Sequence, residues 1–197
     1  RFLTHADAAP LLPDAYALLD RETTDTLALA YAAHSIAFLD HGAEKALPAI
    51  QKAKALNPNS VPVLCSAGWI QAYLGQFEAA MADIQRALRL NPLDPNTGFA
   101  RSAMGPILLG LGRVEEAVEI VERSYHEAPG YGSTVHILLH GYWLLGRVED
   151  AQRMAEEILK INPKITVRSN LATTPFRYPP FLQMFQDAQR ACGIPEG

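Results

Sequence analysis

Cysteine is scarce in this chain, and its spacing is wrong for a disulfide framework or a metal site. Among 197 residues there are two cysteines, Cys65 and Cys192, which lie far apart and form no CxxC motif. Disulfide-rich domains and zinc sites both depend on closely spaced cysteine pairs. The sequence therefore predicts neither, and it favours a reducing, cytoplasmic compartment.

Basic charge and long apolar runs are lacking as well. The chain has 17 Lys and Arg against 21 Asp and Glu, whereas nucleic-acid binding depends on clustered basic side chains. No apolar run approaches the roughly 20 residues needed to cross a bilayer, and no signal-peptide pattern is present. We expect no nucleic-acid partner and no membrane attachment. Because the chain begins at Arg1, we also expect it to be part of a longer protein.

Internal repetition is what the chain has in abundance. The segment "LGQFEAAMADIQRALRLNP" at 74–92 recurs with substitutions at 111–129 and 145–163. Two series of anchor residues step along the chain by 34, 37 and 34 positions, and the longer middle step indicates a short insertion at 95–97. The anchors are Ala46, Ala80, Ala117 and Ala151, and Pro58, Pro92, Pro129 and Pro163.

Each repeat has the pattern of a helical hairpin. Apolar residues recur at helical spacing in two bursts that a small polar turn separates. Gly75, Gly112 and Gly146 in those turns suit the left-handed conformation that closes a helix, and the anchor alanines allow two helices to approach closely. The second helix should end before the anchor proline, which disfavours helical geometry in the preceding residue.

This pattern resembles the tetratricopeptide repeat, which implies an all-α, right-handed superhelix of helix-turn-helix repeats. We place repeats 1 to 4 at 27–60, 61–94, 98–131 and 132–165. Repeat 1 departs from the pattern because its glycine, Gly42, is displaced by one position. Residues 1–26 are predicted to hold a short helix around 14–21, the remnant of a partial repeat.

Two further departures concern proline and the C-terminal end. Pro106 falls inside the first helix of repeat 3, where it should cause a kink. The residues after Pro163 are rich in β-formers and prolines, so we expect an extended segment at the start of 166–197. An amphipathic helix that ends at Gly193 should then cap the last repeat, with an apolar face formed by Phe181, Met184, Phe185 and Ala188.

The resemblance also indicates a binding surface, since tetratricopeptide proteins line their inner groove with the first helix of each repeat. The corresponding positions here are aromatic and nearly uncharged, which does not match the Lys, Arg and Asn clamp of chaperone-tail receptors. An apolar peptide or partner helix is the expected ligand, unless some of these side chains pack against the next repeat or the chain's own C-terminal segment. The expected groove residues are Tyr31, Phe38, Trp69, Tyr73, Phe99, His136, His140 and Trp143.

His136 and His140 also have the four-residue spacing of two zinc ligands on one helix face. The metalloprotease motif requires a glutamate directly after the first histidine, and Ile137 occupies that position. We therefore expect no catalytic residues, no metal and no cofactor, and keep a metal-dependent hydrolase at these histidines as a lesser alternative.

A closer resemblance covers nearly the whole chain from about residue 27. The "RLNPLDP" junction and the closing "RACGIPE" are similar to the C-terminal tetratricopeptide regions of bacterial class III adenylate/guanylate cyclases and related winged-helix regulators. This resemblance implies a regulatory, protein-binding module with catalysis or DNA binding located elsewhere in the protein. The main alternative is a homodimer or assembly scaffold.

Overall fold

The computed structural model describes residues 9–92, 97–127 and 132–197, and all regular structure in those ranges is helical. None of the described helices combines the length and the apolar content required to cross a bilayer. After a 3-10 turn at Ala9–Leu11 the helices are α1 Leu12–Leu19, α2 Thr26–Leu39, α3 Ala43–Leu56, α4 Val61–Tyr73, α5 Phe77–Leu90, α6 Thr97–Gly110, α7 Val114–Glu127, α8 Gly132–Leu144, α9 Val148–Ile161, α10 Val167–Thr173 and α11 Pro179–Ala191.

The helices belong to two compact units. Unit 1 comprises Arg1–Ala103 together with Pro175–Arg177, and unit 2 comprises Met104–Thr174 together with Tyr178–Gly197. Unit 1 therefore contains three residues from the C-terminal part of the sequence. In unit 1, α2 packs on α3 and α4 packs on α5, while in unit 2 α8 packs on α9.

The predicted glycine turns are confirmed. Gly75, Gly112 and Gly146 have φ angles of 76°, 72° and 70°, a region that side chains disfavour. In repeat 1 the displaced glycine has a structural counterpart, because His41 adopts the positive φ of 53° and Gly42 instead begins the next helix with φ −92°.

Backbone hydrogen bonds complete each glycine turn in the same way. The Gly75 N–H donates to the Ala72 carbonyl at 3.1 Å, and the Gln76 N–H donates to the Gln71 carbonyl at 2.9 Å. This pair of bonds is the Schellman motif, which satisfies carbonyls that the helix leaves without partners. Equivalent pairs of bonds follow Leu109, Trp143 and Arg190.

Three of the predicted helix ends are also confirmed. Asn57, Asn91 and Asn162 precede prolines and have ψ angles of 83°, 93° and 89°, outside the helical range. The corresponding end of repeat 3, before Pro129, lies outside the described residues. The predicted insertion at 95–97 is likewise mostly outside them, although Thr97 begins α6.

Pairs of small residues bring the helices of each hairpin together. The anchor alanines Ala46, Ala80, Ala117 and Ala151 are all fully buried. A Cβ atom placed on Gly68 of α4 would lie 2.6 Å from the Ile84 side chain and 3.3 Å from the Ala80 carbonyl oxygen. Sequence reasoning assigned the close approach to the alanines alone, whereas in repeat 2 the helix-centre Gly68, which faces Ala80, contributes to it as well.

The C-terminal residues require one correction. Much of the segment predicted to be extended forms the helix α10. Thr166 caps the start of this helix: its hydroxyl accepts a hydrogen bond from the Ser169 N–H at 3.0 Å, and the Ser169 hydroxyl accepts one from the Thr166 N–H at 2.9 Å. This reciprocal capping overrides the low helix propensity of the local composition. Thr174 and Tyr178 do have extended backbone, and α11 packs against α8 in unit 2.

Replacing Gly68 with alanine tests the hairpin packing. Alanine favours helix by about 1 kcal/mol over glycine, but overpacking against Ile84 should dominate and lower the free energy of unfolding by about 1–3 kcal/mol. Gly98→Ala is the matched control, since nothing lies within 4 Å of a Cβ atom there. Urea denaturation should show a loss of stability for Gly68→Ala alone. Equal stability of the two variants would contradict the packing described.

Candidate partner-binding face

The predicted groove residues divide between the two units. Those of unit 1 come from α2, α4 and α6, and those of unit 2 all come from α8. The unit 1 members are Tyr31, Phe38, Trp69, Tyr73 and Phe99, and the unit 2 members are His136, His140 and Trp143.

Four of the five unit 1 residues form one aromatic cluster together with His34, which sequence reasoning missed. The His34 ring lies 6.2 Å from the Phe38 ring, nearly parallel to it, and 5.1 Å from the Phe99 ring, edge to face. The Trp69 ring lies 5.6 Å from Tyr73 and 5.7 Å from Phe99. The four-residue spacing of His34 and Phe38 was the available sequence signal, because such positions share a helix face.

A hydrogen bond holds the tryptophan of this aromatic cluster in place. The Trp69 indole N–H donates to the Phe99 backbone carbonyl at 3.2 Å, which ties α4 to the first turn of α6. The Ser102 hydroxyl donates to the same carbonyl at 2.8 Å. A ring fixed in this way presents apolar area at a low entropic cost of binding.

Two residues of the aromatic cluster, Phe38 and Phe99, and two further apolar residues of α2 are open to solvent. Tyr31 is 51 % exposed, Leu27 44 %, Phe38 40 % and Phe99 37 %. Leu27, Tyr31 and Phe38 share one side of α2, because positions four and eleven apart lie on the same helix face. We call these four residues, together with the half-buried Trp69, the exposed face. Clustered apolar exposure of this kind is typical of an interaction surface.

The chain itself covers the remaining member of the unit 1 set, Tyr73, which is 2 % exposed. The Phe176 ring lies 5.3 Å from the Tyr73 ring at 90°, and the Arg177 backbone N–H donates to the Tyr73 carbonyl at 2.7 Å. The expectation that Tyr73 contacts a partner directly is therefore corrected, because residues 175–177 occupy that position.

The histidines of unit 2 are covered in a similar way. His140 is fully buried, and its ring stacks on Phe185 of α11 with centroids 3.7 Å apart. His136 is half-buried, with its Nδ1 atom 3.4 Å from the Asn170 amide nitrogen. The apolar side of α11 is buried against α8. His140 is therefore a core residue, contrary to its assignment to an open groove, while Trp143 remains half-buried.

The electrostatics of these histidines follow from their burial. Burial lowers the pKa of His140 to about 3, with His136 adding to the shift, and lowers the pKa values of His136 and His34 to about 4. Both ring nitrogens of His140 are buried, and no group of three potential metal ligands occurs among the described residues. Burial of both ring nitrogens does not suit His140 as a ligand of a solvent-accessible metal ion.

Comparison with known proteins then connects the hairpins to a family. The model of the tetratricopeptide repeat family matches residues 61–92, which contain α4 and α5. The chain is 34 % identical over 90 residues to the small glutamine-rich tetratricopeptide repeat-containing protein 2 of Mycosarcoma maydis. That match covers 46 % of this chain, and the chain spans about a quarter of the length of the curated relative, 24 %.

Solved structures share the fold at low sequence identity. PilW, a type IV pilus biogenesis factor, matches with a TM-score of 0.66 and 18 % identity over 95 % of this chain and 83 % of its own. A tetratricopeptide repeat protein from Parabacteroides merdae matches with a TM-score of 0.61 and 16 % identity over 95 % and 78 %. MamA from Desulfovibrio magneticus matches with a TM-score of 0.56 and 17 % identity over 85 % and 89 %.

The likeness confirms the fold class inferred from the repeats, an all-α tetratricopeptide solenoid. Tetratricopeptide proteins mediate protein–protein interaction and assembly. The exposed face of unit 1 is the candidate surface for such an interaction in this chain.

Acidification should destabilise the protein through its buried histidines. The unfolded chain binds protons near pH 6.5, whereas the folded histidines bind them only near pH 3 to 4. Stability is therefore fully present above about pH 7 and is lost as the pH falls, by roughly 2 kcal/mol per buried histidine at pH 5. His140→Leu should reduce the difference in unfolding free energy between pH 7 and pH 5, as measured by urea denaturation.

The exposed His126 provides the control for this measurement. His126→Leu should keep the pH dependence of the parent chain. A pH dependence unchanged by His140→Leu would show that His140 titrates normally in the folded protein, against the burial described.

Proposed function

We propose that this chain is a non-catalytic protein-interaction module, and that the exposed face of unit 1 binds an apolar, aromatic peptide or helix of a protein partner. The observation that carries the proposal is the exposure of Leu27 and Tyr31 on the same side of α2 as Phe38, which belongs to the aromatic cluster. Large apolar side chains on a surface gain free energy when a partner buries them, at about 25 cal/mol per Å².

The charge distribution supports a partner of apolar chemistry. Neither α2 nor α4 contains Asp, Glu, Lys or Arg, although both contribute to the exposed face. A charged group of a partner placed against α2 and α4 would lose hydration without gaining an ion pair from either helix. The second helices, in contrast, carry the charges, as in α5 with Glu78 and Arg89 near its two ends.

The aromatic residues of the exposed face support a partner interaction in which a few side chains provide most of the binding energy. Tyrosine and tryptophan are enriched among the residues that dominate binding energy in interfaces. Trp69 is held by its hydrogen bond to Phe99, so a ligand would not have to order it. We therefore propose Tyr31, Phe38, Trp69 and Phe99 as contact residues, and Trp143 as an outlying one in unit 2.

The finer proposal is that this module regulates a larger cytoplasmic bacterial signalling protein such as a nucleotide cyclase. It is supported by the likeness of the "RLNPLDP" junction and the "RACGIPE" end to cyclase-associated and winged-helix regulators. The reading frame around this segment tests it: a cyclase or winged-helix sequence is the expected neighbour, and an unrelated neighbour would contradict the regulatory assignment.

A selected peptide tests the binding proposal. Peptides selected from a random library on the full chain should be rich in aromatic residues. Tyr31→Ala should weaken binding of the selected peptides about 10-fold or more because a central aromatic contact is lost. Leu27→Ala should weaken it less, and fluorescence anisotropy measures both.

Leu56→Ala is the matched control, since Leu56 is 48 % exposed on α3 and Leu27 is 44 % exposed on α2. The control should bind like the parent chain. Equal effects of Leu27→Ala and Leu56→Ala, with no effect of Tyr31→Ala, would exclude the exposed face. Concentration-dependent sedimentation that Tyr31→Ala abolishes would instead favour the alternative, self-assembly through this face.

A further inference from the structure

Residues 175–177 lie on unit 1 as a bound peptide would. Phe176 is 6 % exposed, with its ring edge to face against Tyr73, and the next residue makes a main-chain hydrogen bond to the same tyrosine. The segment reaches unit 1 from about 100 positions further along the chain. The segment therefore lies where a peptide ligand would lie, although it belongs to the same chain.

The backbone carbonyl of Tyr73, at the end of α4, is a hydrogen-bond acceptor that makes the binding position of residues 175–177 specific. The last carbonyls of a helix have no partner within the helix. Those of Ile70, Gln71 and Ala72 receive N–H groups from the turn that follows, while the Tyr73 carbonyl receives the Arg177 N–H at 2.7 Å. A ligand here therefore needs an aromatic ring and, one residue later, a free backbone N–H.

The covered position and the exposed face form one continuous surface. The Tyr73 ring lies 5.6 Å from Trp69 and 6.2 Å from His34, and both of those rings contact Phe99. A peptide bound at Tyr73 would consequently continue along Trp69 and Phe99. Residues 175–177 occupy one end of the surface and leave the other end open.

The local sequence keeps the internal segment extended. Pro175 precedes Phe176, Pro179 follows Tyr178, and the flanking Thr174 and Tyr178 have ψ angles of 136° and 111°. Prolines restrict the unbound chain to extended conformations, which lowers the entropic cost of docking.

We propose that residues 175–177 are an internal ligand of the aromatic surface, and that the partner presents an extended, proline-flanked aromatic residue followed by a free N–H, which competes for Tyr73. This inference rests on the proposed function and identifies its partner class. Binding would then require displacement of Phe176, so the apparent affinity is the intrinsic affinity multiplied by the fraction of time that the position is vacant.

A peptide with the sequence of residues 173–180, TTPFRYPP, tests the competition by fluorescence anisotropy with the full chain. Phe176→Ala removes the competing ring and should tighten binding at least 10-fold relative to the parent chain. Tyr178→Ala is the control, because Tyr178 is an aromatic residue of the same stretch that is 39 % exposed, and it should leave the affinity unchanged. If Phe176→Ala fails to fold, Phe176→Leu should give a smaller increase in the same direction.

Variants of the peptide test the two recognition elements without altering the protein. Alanine in place of the phenylalanine, or N-methylarginine in place of the arginine, should each reduce binding to Phe176→Ala by about 10-fold or more. The first change removes the ring and the second removes the donated N–H.

The outcomes separate this inference from the proposed function. Equal affinity of the parent chain and the folded Phe176 variant would overturn the internal ligand, while loss of binding in Tyr31→Ala would still uphold the exposed face. No binding of the peptide to either chain would overturn the partner class. Concentration-dependent dimerisation that Phe176→Ala abolishes would assign the surface to a second copy of the chain and also overturn it.

Discussion

Close approach of two helices at small residues is the constraint on which each hairpin depends. Gly68 of α4 faces Ile84 and Ala80 of α5 at distances that leave no room for a side chain, and Gly105 of α6 faces Val121 of α7 in the same way, with 2.7 Å from an added Cβ atom. Interiors packed this tightly do not adjust to an extra methyl group without strain. One side of the first helix of a hairpin therefore packs against the second helix. The other side is either covered by another segment of the chain or exposed to solvent.

Both solutions occur in this molecule. In unit 2, α11 covers α8 and stacks Phe185 on His140, which turns a predicted groove residue into core. In unit 1, residues 175–177 cover Tyr73, while Tyr31 and Leu27 remain exposed within the part of the chain that the structure describes. The difference explains why unit 1 is the better candidate for binding. It also explains why the partner class can be inferred from the chain's own Phe176.

The sequence predicted what depends on local conformation and could not predict what depends on contacts between distant segments. Gly75 and Asn57 were identified correctly because turn and proline geometry act over a few residues. The helix α10 was missed because the Thr166–Ser169 capping pair lies in a segment whose composition favours extended chain. The covering of Tyr73 by Phe176 leaves no trace in periodicity, since the partners lie 103 positions apart. Periodicity placed Phe185 on the apolar face of a capping helix, but it did not identify His140, 45 positions away, as the ring that Phe185 covers.

Photo-crosslinking in cells tests whether the exposed face of unit 1 contacts a protein partner. Benzoylphenylalanine replaces Tyr31 in one chain and Leu56 in another, and mass spectrometry locates the crosslinked residues. We expect crosslinks from position 31 to one extended segment with an aromatic residue in a partner protein, and none from position 56. Crosslinks from position 31 to this chain alone, or equally from both positions, would contradict this expectation.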